Sequence, residues 1–349
     1  MPSTLLIGNH ATVETDEGGQ PIQSNTPAWL RRRQTGIGAS DAPAILGLST
    51  YHSPRDVYLD KVSDTISELD SEQIEFGHLL EPVILATVAK RHGNPDSDRH
   101  AYLGRIESSP GLLRSLEHPH LLASLDAIVV EPDGTLAPIN AKHRPFGRTR
   151  WADSEHGVPD DVAVQIYQEA IVLGADHGYA APLFGNTMPE PIRLDVPADF
   201  REWYLAESHR FWTEHVEARV EPDPILIDDL NAIWNADPSL PPVHLTPEQV
   251  AKAREHRARK DAHNAEAKAI DELALELQIV LGDATEAYDV TDPANPRLAI
   301  TWRQNRPSAP KFEVDIAAIR RDHPELNDLL DGYLVEVPGR KPARPFLTK

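Results

Sequence analysis

The chain has 349 residues, of which 40% are hydrophobic and 26% charged, and its formal net charge at pH 7 is −21. This length allows one large domain together with a smaller one. No apolar run reaches the about 18 residues of a transmembrane helix, and the N-terminus has no basic segment followed by an apolar one. We therefore expect neither a membrane span nor a secretory signal. The lack of cysteine excludes disulfides, zinc–thiolate sites and iron–sulfur clusters, and an intracellular protein is the simplest expectation.

The acidic balance argues at first against a nucleic-acid partner. That argument is weak for an enzyme that grips DNA in a local basic groove while acidic residues elsewhere maintain solubility. The distribution of charge decides the question, and the net charge does not report that distribution.

Basic residues cluster near the start of the chain. Residues 1–26 are polar and predict a loose arm or a short edge hairpin. Beyond them Trp29 precedes three arginines, Arg31 to Arg33, and a glycine-rich stretch then leads to Ser40 and Asp41. Either of these two side chains can cap a helix that starts just after them. Arginines near a helix N-terminus form a phosphate site, although a capped helix with a solvated basic turn is the alternative.

Hydrophobic periodicity predicts helices over residues 53–62 and 71–92. The apolar side of the second helix consists of Ile74, Phe76, Leu79, Leu80, Val83, Ile84 and Val88. Pro82 interrupts this helix and is expected to kink it. Glu81 lies just before the proline and close to the apolar stripe. Such a carboxylate is either half-exposed or held by a partner such as a metal ion.

The centre of the chain predicts two strands, residues 124–130 and 138–142, joined by a turn at 132–134. Asp126 lies on the first strand, and Asn140 and Lys142 lie on the second. Because residues i and i+2 of a strand share a face, Asn140 and Lys142 point to the same side, beside Asp126 if the strands pair. A carboxylate, a second oxygen ligand and a lysine are the groups needed to hold Mg²⁺ and activate water against a phosphodiester.

A basic segment follows over residues 143–151. Its arginines and aromatic residues are Arg144, Arg148, Arg150, Phe146 and Trp151. Interleaved arginines and aromatic rings suit phosphates and exposed bases. A solvated loop with a packed tryptophan is the competing interpretation.

The remaining elements follow from periodicity and turn composition. The predicted helix over residues 159–173 carries Gln165 and Gln168 on one face, and an apolar run at 178–184 predicts a core strand. The next segments are a helix at 200–220, a linker at 222–245 rich in Pro, Asp and Asn, and a charged helix at 246–281 that is polar nearly all round over 252–268. Two strands at 287–290 and 297–303, a helix at 314–321 and a basic tail at 339–346 complete the chain.

The order of these motifs resembles that of the YqaJ-type viral recombinases, relatives of phage lambda exonuclease within the PD-(D/E)XK nuclease superfamily. The ordered set is Trp29, Arg33, Gly38-Ala39-Ser40-Asp41, Ile45-Leu46-Gly47, Gly77, Leu80-Glu81-Pro82, Leu122-Ala123-Ser124-Leu125-Asp126, Asn140-Ala141-Lys142, Gln165 and Val172-Leu173-Gly174. The resemblance implies an α/β fold with a PD-(D/E)XK, restriction-endonuclease-like core over residues 27–221. Helices would flank a mixed central sheet in this core, and a mostly helical appendage would occupy residues 246–349.

The same resemblance implies a Mg²⁺-dependent 5′–3′ exonuclease, with Mn²⁺ as a substitute, that acts on double-stranded DNA ends. Its product, a 3′ single-stranded tail, would pass to a phage single-strand annealing protein in the cytoplasm of a bacterial host. A trimeric ring with a DNA channel, as in lambda exonuclease, would reconcile the net charge with DNA binding.

The resemblance also assigns roles to particular residues. It makes Glu81 and Asp126 metal ligands, and Lys142 the residue that positions the attacking water. Gln165 matches a glutamine of the last core helix. Arg33 and Ser40 match the residues that bind the terminal 5′ phosphate.

Position 140 departs from the family pattern, which expects Asp or Glu where this chain has Asn140. The amide keeps an oxygen ligand but removes one negative charge, which weakens dication binding and lowers turnover. Three explanations compete. We favour a deliberate replacement of Asp by its isostere. The others are a natural site completed another way, for example by Glu81 or a backbone carbonyl, and a protein that has lost catalysis and only binds DNA.

Two functional alternatives to the exonuclease remain open. One is a non-catalytic module that binds DNA ends on the same fold, which Asn140 favours and the retained Glu81, Asp126 and Lys142 disfavour. The other is an endonuclease or repair nuclease. Arg33 together with Ser40 favours recognition of DNA ends, and the absence of cysteine excludes the iron–sulfur cluster common among such repair nucleases.

Overall fold

A computed structural model describes residues 6–7, 9–65, 72–144, 148–154, 156–234, 239–292, 297–301 and 321. The chain divides into two compact units, Met1–Asn235 and Ala236–Lys349. The break between the units falls inside the linker predicted over residues 222–245. Apart from Arg321, the predicted helix at 314–321 and the basic tail at 339–346 lie outside the described residues.

The helices and strands follow the chain in the order predicted from periodicity, with several additions. The helices are α1 (Pro27–Arg33), α2 (Ala42–Ile45), α3 (Pro54–Val62), α4 (Glu72–His92), α5 (Arg148–Ala152), α6 (Asp160–Leu173), α7 (Ala198–Phe211), α8 (Ile227–Ile233) and α9 (Pro247–Leu281). The strands are β1 (Leu6–Ile7), β2 (Ala11–Val13), β3 (Ile37–Gly38), β4 (Arg105–Ser108), β5 (Leu112–Ser115), β6 (Leu121–Ser124), β7 (Ala127–Val130), β8 (Leu136–His143), β9 (His177–Leu183), β10 (Ile192–Asp195), β11 (Glu286–Asp289) and β12 (Arg297–Thr301). Among the described helices, none combines the length and apolar character needed to cross a membrane.

The first unit contains two mixed sheets, with strand orders β1-β2-β5-β6-β3 and β10-β9-β8-β7-β4. Strands β3 and β6 are parallel, as are β8 and β9, and the other pairs are antiparallel. The predicted α/β class, with helices packed against mixed sheets, is confirmed. The single strand predicted over residues 124–130 is wrong, because the chain bends at Leu125 and Asp126 and passes from one sheet to the other.

Helix α6 packs against both sheets and is almost entirely buried. Val164 and Ile171 belong to the core around β5 and β6, while Val162 and Ile166 join the core around β9 and β10. Asp160 and its neighbour Asp161 lie in the first turn, where negative charge favours the helix dipole. Helix α6 therefore connects the two layers, and its side chains reach the position where the chain passes between the sheets.

Gln168 fastens this helix to the first sheet. Its amide donates to the carbonyl oxygen of Ile37 at 2.7 Å and to that of Leu122 at 2.8 Å, and its oxygen accepts from the Tyr204 hydroxyl. Gln168 and Tyr204 are both fully buried. A buried polar side chain with every group paired fixes the rotation of the helix, and so sets where the next turn points.

Helix α4 differs from its predicted packing. Ile84 and Val88 are buried against β7, β8 and β9 as expected. Phe76, Leu79 and Val83 were predicted on the buried side, but each is more than half exposed. Among the described residues, only the C-terminal half of this helix packs on the sheet. The apolar stripe of α4 therefore extends beyond the part of the helix that the sheet covers.

The predicted start of the linker, at residue 222, is too early in the chain. The carboxylate of Asp229 on α8 accepts hydrogen bonds from the backbone amides of Ile225 and Leu226 and from the Ser53 hydroxyl, which is 2.6 Å away. Asp229 and Ser53 are both buried. The composition of this segment suggested a loop, but these hydrogen bonds join it to the first unit.

The edge hairpin considered for the first residues is present as β1 and β2, at the end of the first sheet. In the second unit, Thr246 caps the N-terminus of α9 through its side chain, which explains where this helix begins. Residues 252–268 are exposed nearly all round, as their polarity predicts. Strands β11 and β12 form an antiparallel pair.

Candidate active site

Asp126 lies in the bend where the chain leaves β6 and enters β7. Its Oδ2 accepts a hydrogen bond from the backbone amide of Ala141 at 2.7 Å. Ala127 pairs with Ile139 in the β7–β8 ladder, so one further step of this register places Asp126 opposite Asn140. The hairpin register and the bend thus bring the two predicted side chains to the same end of β8.

A chain of hydrogen bonds links β8 to α6. Lys142 Nζ donates to Gln165 Oε1 at 2.8 Å, and Gln165 Nε2 donates to Glu169 Oε1 at 3.0 Å. The same Glu169 oxygen accepts from Asn140 Nδ2 at 2.9 Å. Asn140, Lys142 and Gln165, each predicted separately, therefore lie in one network.

Sequence analysis missed Glu169. It is fully buried and lies four residues after Gln165, one helical turn further along the same face. Burial, followed by repulsion from Asp126, raises the pKa of Glu169 to about 8. The i, i+4 spacing from Gln165 could have identified it, but a glutamate on a helix is usually exposed.

Glu81 contributes an acid from α4. Burial and then the charge of Asp126 raise the pKa of Glu81 to about 7. Burial also raises the pKa of Asp126, although Lys142 opposes this effect, and burial lowers the pKa of Lys142. Acids that disfavour one another's ionisation in a partly buried cluster are typical of a site that a cation stabilises.

The Mg²⁺ that the family resemblance implies can be tested against these side chains. Asn140 Oδ1 and Glu169 Oε2 are buried oxygen atoms without a hydrogen-bond partner. Both atoms only accept, unless the acid is protonated, and buried acceptors are rarely left unpaired. Carboxylate and amide oxygens are the ligands that Mg²⁺ prefers. The chemistry of these donor atoms therefore fits a hard divalent cation.

Arg33 is held on the other side of the site. It donates to Ser40 Oγ at 3.1 Å and to Asp41 Oδ1 at 2.7 Å, and its guanidinium lies 4.8 Å from the centre of the Trp29 ring. Burial opposes ionisation of Asp41, but Lys61 and Arg33 outweigh it and hold the pKa of this carboxyl at about 2. The expected capping of α2 by the Asp41 side chain is absent, because this carboxylate turns towards the two cations.

The two halves meet in one pocket of about 240 Å³. Arg33 and Ser40 line it together with Glu81, Asp126 and Gln165. Trp29, also in the lining, is fixed by a hydrogen bond of 2.7 Å from its indole nitrogen to Ser124 Oγ. Two acids, Glu81 and Asp126, thus share a cavity with the basic site predicted from a separate stretch of sequence. Asn140, Lys142 and Glu169 do not line this cavity and are connected to it through Gln165 and Asp126.

The remaining predicted DNA contacts lie elsewhere. Arg31 is exposed and lines a different pocket, and Arg144 and Arg148 are exposed. Arg150 is exposed and pairs with Asp161 at 2.9 Å. The prediction that Trp151 stacks on bases is wrong. Trp151 is only 4% exposed and packs edge-on against Phe184 in the core around α6, which was the competing interpretation.

Within the described residues, one group of three His, Asp or Glu side chains has ligand atoms that all lie within 4.8 Å of one another. It consists of His92, His100 and Glu190, none of which lines the pocket of Glu81 and Asp126. His92 Nδ1 lies 2.9 Å from the carbonyl oxygen of Ala101, so this nitrogen carries a proton and donates. Glu190 accepts from His100 at 2.7 Å. These hydrogen bonds explain the cluster as a link between the end of α4 and the loop after β9.

Comparison with known proteins finds similarity over the region that carries most of this pocket. Residues 28–176 match the model of the YqaJ-like viral recombinase domain family. The chain is also 32% identical over 192 residues to the uncharacterized protein YqaJ of Bacillus subtilis strain 168. That alignment covers 54% of this chain and 56% of the relative, a little over half of its length. The family resemblance predicted from the order of motifs is confirmed over this region.

The solved structures similar to the chain include the following three. Two are LHK-Exo, described as an alkaline exonuclease from Laribacter hongkongensis, one of them in complex with dAMP. Each is 16% identical, with a TM-score of 0.43, over 56% of this chain and 95% of that one. The third, SSO0001, is 13% identical with a TM-score of 0.33, over 53% and 84% of the two chains.

Proposed function

Starting from the YqaJ-like viral recombinase domain at residues 28–176, we propose that this chain is a Mg²⁺-dependent 5′–3′ exonuclease that acts on linear double-stranded DNA. The observation that carries the proposal is the pocket that Glu81 and Asp126 share with Arg33 and Ser40. Removal of a terminal nucleotide requires acids for a metal ion and a cationic site for phosphate at a fixed separation, and this pocket offers both.

Asp126, Glu81 and Asn140 are the side chains that would hold the cation, and Mn²⁺ would substitute for Mg²⁺. A bound divalent cation supplies Lewis-acid polarisation of the scissile phosphate and a more acidic water. Lys142 contributes a positive charge inside the acid cluster. Because Gln165 Oε1 fixes its Nζ at 2.8 Å, Lys142 can hold and orient the attacking water by hydrogen bonding.

Arg33 and Ser40 would receive the terminal 5′ phosphate. Arg33 is pre-organised, since Asp41 and the Trp29 ring restrain it before a ligand arrives. Asp41 divides its charge between two cations, because Lys61 pairs with the same carboxylate at 2.7 Å and also with Asp60 at 3.1 Å. The Arg33 guanidinium is therefore only partly neutralised and can still bind a phosphate.

The product of this activity would be a 3′ single-stranded tail. Such a tail is the substrate for single-strand annealing, so a phage annealing protein is the partner that we propose, in the cytoplasm of an infected or prophage-bearing bacterium. A homo-oligomeric ring, trimeric as in lambda exonuclease, would let a chain with a net charge of −21 surround DNA with its basic side chains.

The test compares three DNA substrates in Mg²⁺: linear duplex with a 5′ phosphate, the same duplex with a 5′ hydroxyl, and a closed circle. We expect fastest nucleotide release from the phosphorylated duplex and none from the circle. Asp126→Ala should slow release about 100-fold or more, since it removes a metal ligand. Asp133→Ala, which removes an exposed acid from the turn of the same hairpin, is the matched control. Cleavage of the circle would refute exonuclease action.

Asn140 favours a second candidate, a module that binds DNA ends without cutting them. Nucleotide release and end binding by the chain and by Asn140→Asp separate the two functions. Binding without cutting by both proteins would support the module and refute the nuclease. Cutting by Asn140→Asp alone would show a nuclease fold that Asn140 disables.

A further inference from the structure

The acid that the family pattern expects at position 140 has a neighbour that can replace its charge. Asn140 Nδ2 donates to Glu169 Oε1 at 2.9 Å, so the amide and the carboxylate are in direct contact. Asn140 lies on β8, whereas Glu169 reaches the same place from α6. The cluster thus contains three carboxylates, those of Glu81, Asp126 and Glu169. A site with the expected acid at position 140 in place of Glu169 would contain the same number.

The two touching side chains each leave one oxygen atom without a partner. Asn140 is 1% exposed and Glu169 is fully buried, yet Asn140 Oδ1 and Glu169 Oε2 accept no hydrogen bond. A buried acceptor without a hydrogen bond is unfavourable for the fold. Glu169 is also close enough to Asp126 and Lys142 to interact with their charges. A divalent cation bound to Asn140 Oδ1 and Glu169 Oε2 would satisfy both acceptors.

Two hydrogen bonds hold one oxygen of the Glu169 carboxylate. Gln165 donates to the Glu169 oxygen that Asn140 also contacts, at 3.0 Å, which fixes that oxygen and leaves Oε2 unpaired. One residue earlier, Gln168 fastens the helix to Ile37 and Leu122. Fixing a ligand through a second layer of hydrogen bonds is how metal sites orient their carboxylates.

We propose that Glu169 is a ligand of the active-site cation, and that it supplies from α6 the negative charge that Asn140 lacks, with Asn140 Oδ1 as its neutral partner. This inference rests on the proposed function, since it requires a divalent cation in the pocket. It makes Asn140 part of a working site and favours a natural site that is completed another way.

Cation binding tests the proposal without any measurement of activity. Mn²⁺ is titrated calorimetrically into the full chain in the absence of DNA, and the shift of the melting temperature on adding Mn²⁺ is measured in parallel. We expect Glu169→Gln, which is nearly isosteric, to weaken Mn²⁺ binding about 10-fold or more. Asp160→Asn, an exposed acid at the start of the same helix, should bind Mn²⁺ like the parent chain and controls for net charge.

The exchange variant Asn140→Asp/Glu169→Gln carries the acid on β8 instead of α6. It keeps three carboxylates, so we expect Mn²⁺ affinity within about 3-fold of the parent chain, a difference well below that of one lost ligand. This variant also decides the question if Glu169→Gln alone does not fold. Restored binding supports the proposal, whereas a folded exchange variant that binds no Mn²⁺ overturns it.

The outcomes separate the failure of this inference from that of the proposed function. If the parent chain and Glu169→Gln bind Mn²⁺ equally, Glu169 is a structural acid and only the inference fails. If the folded parent chain binds neither Mn²⁺ nor Mg²⁺, both this inference and the proposed metal-dependent nuclease function are refuted.

Discussion

Gln168 provides the most direct test of how α6 is held against the first sheet. Replacing it with Leu keeps most of the side-chain volume but removes three hydrogen bonds, two to the carbonyl oxygens of Ile37 and Leu122 and one from Tyr204. At about 1 kcal/mol net for each bond, with a further cost for buried groups left unpaired, Gln168→Leu should lower the free energy of unfolding by about 3–5 kcal/mol. That loss is a large fraction of the stability of a typical domain.

The assay is urea denaturation of the parent chain, Gln168→Leu and Tyr204→Phe. Unfolding is monitored by tryptophan fluorescence and by far-UV circular dichroism. Tyr204→Phe keeps the buried ring and removes only one of the three bonds, so we expect a loss of about 1–2 kcal/mol. The order of the two variants matters more than either value, because both share the same surroundings. A loss below about 1 kcal/mol for Gln168→Leu, or one no greater than that of Tyr204→Phe, would refute the view that these bonds fasten the helix.

Two further predictions concern pH and a single glycine. The pKa of Glu169, about 8 in the fold against an ordinary 4.5, means that this group adds stability at low pH and loses it as the pH rises through about 8. Without divalent cations the melting temperature should therefore fall between about pH 4.5 and pH 8, and Glu169→Gln should flatten this dependence. A profile unchanged by Glu169→Gln would contradict the assignment. Gly174 ends α6 with a φ of 76°, and a Cβ there would lie 2.2 Å from His10 Cγ. Gly185 is the control, because its φ is 59° but a Cβ there would meet nothing within 4 Å, so Gly185→Ala should cost about 1–2 kcal/mol. Gly174→Ala should lower the melting temperature clearly more than Gly185→Ala. Equal melting temperatures of the two variants would disprove the close contact with His10.

Local sequence patterns predicted the elements of the candidate site well, because these patterns follow from the periods of helices and strands. The helices around Glu81 and Gln165 occur close to their predicted ranges, and alternation along β8 correctly placed Asn140 and Lys142 on one face. The charged helix α9 also follows its prediction. In each case the residues that determine the element are neighbours in sequence.

Contacts between distant segments decided the rest. Trp151 looked suited to stacking on bases, but Phe184 and α6 bury it. The predicted strand through Asp126 bends between two sheets, because its carboxylate bonds to the backbone of β8. Neither contact is encoded by residues near it in the chain.

Glu169 marks this boundary most clearly. The sequence by itself placed Asp126, Asn140, Lys142 and Gln165 on predicted elements, and the family resemblance supplied their grouping and the expectation of an acid at position 140. Only the tertiary structure showed a buried carboxylate in contact with Asn140, 29 residues away in sequence. The helical period predicts which residues share a face of the helix, but it does not predict which face is buried from solvent. Packing of α6 between two sheets buries Glu169, and burial changes an ordinary surface acid into one that requires a partner.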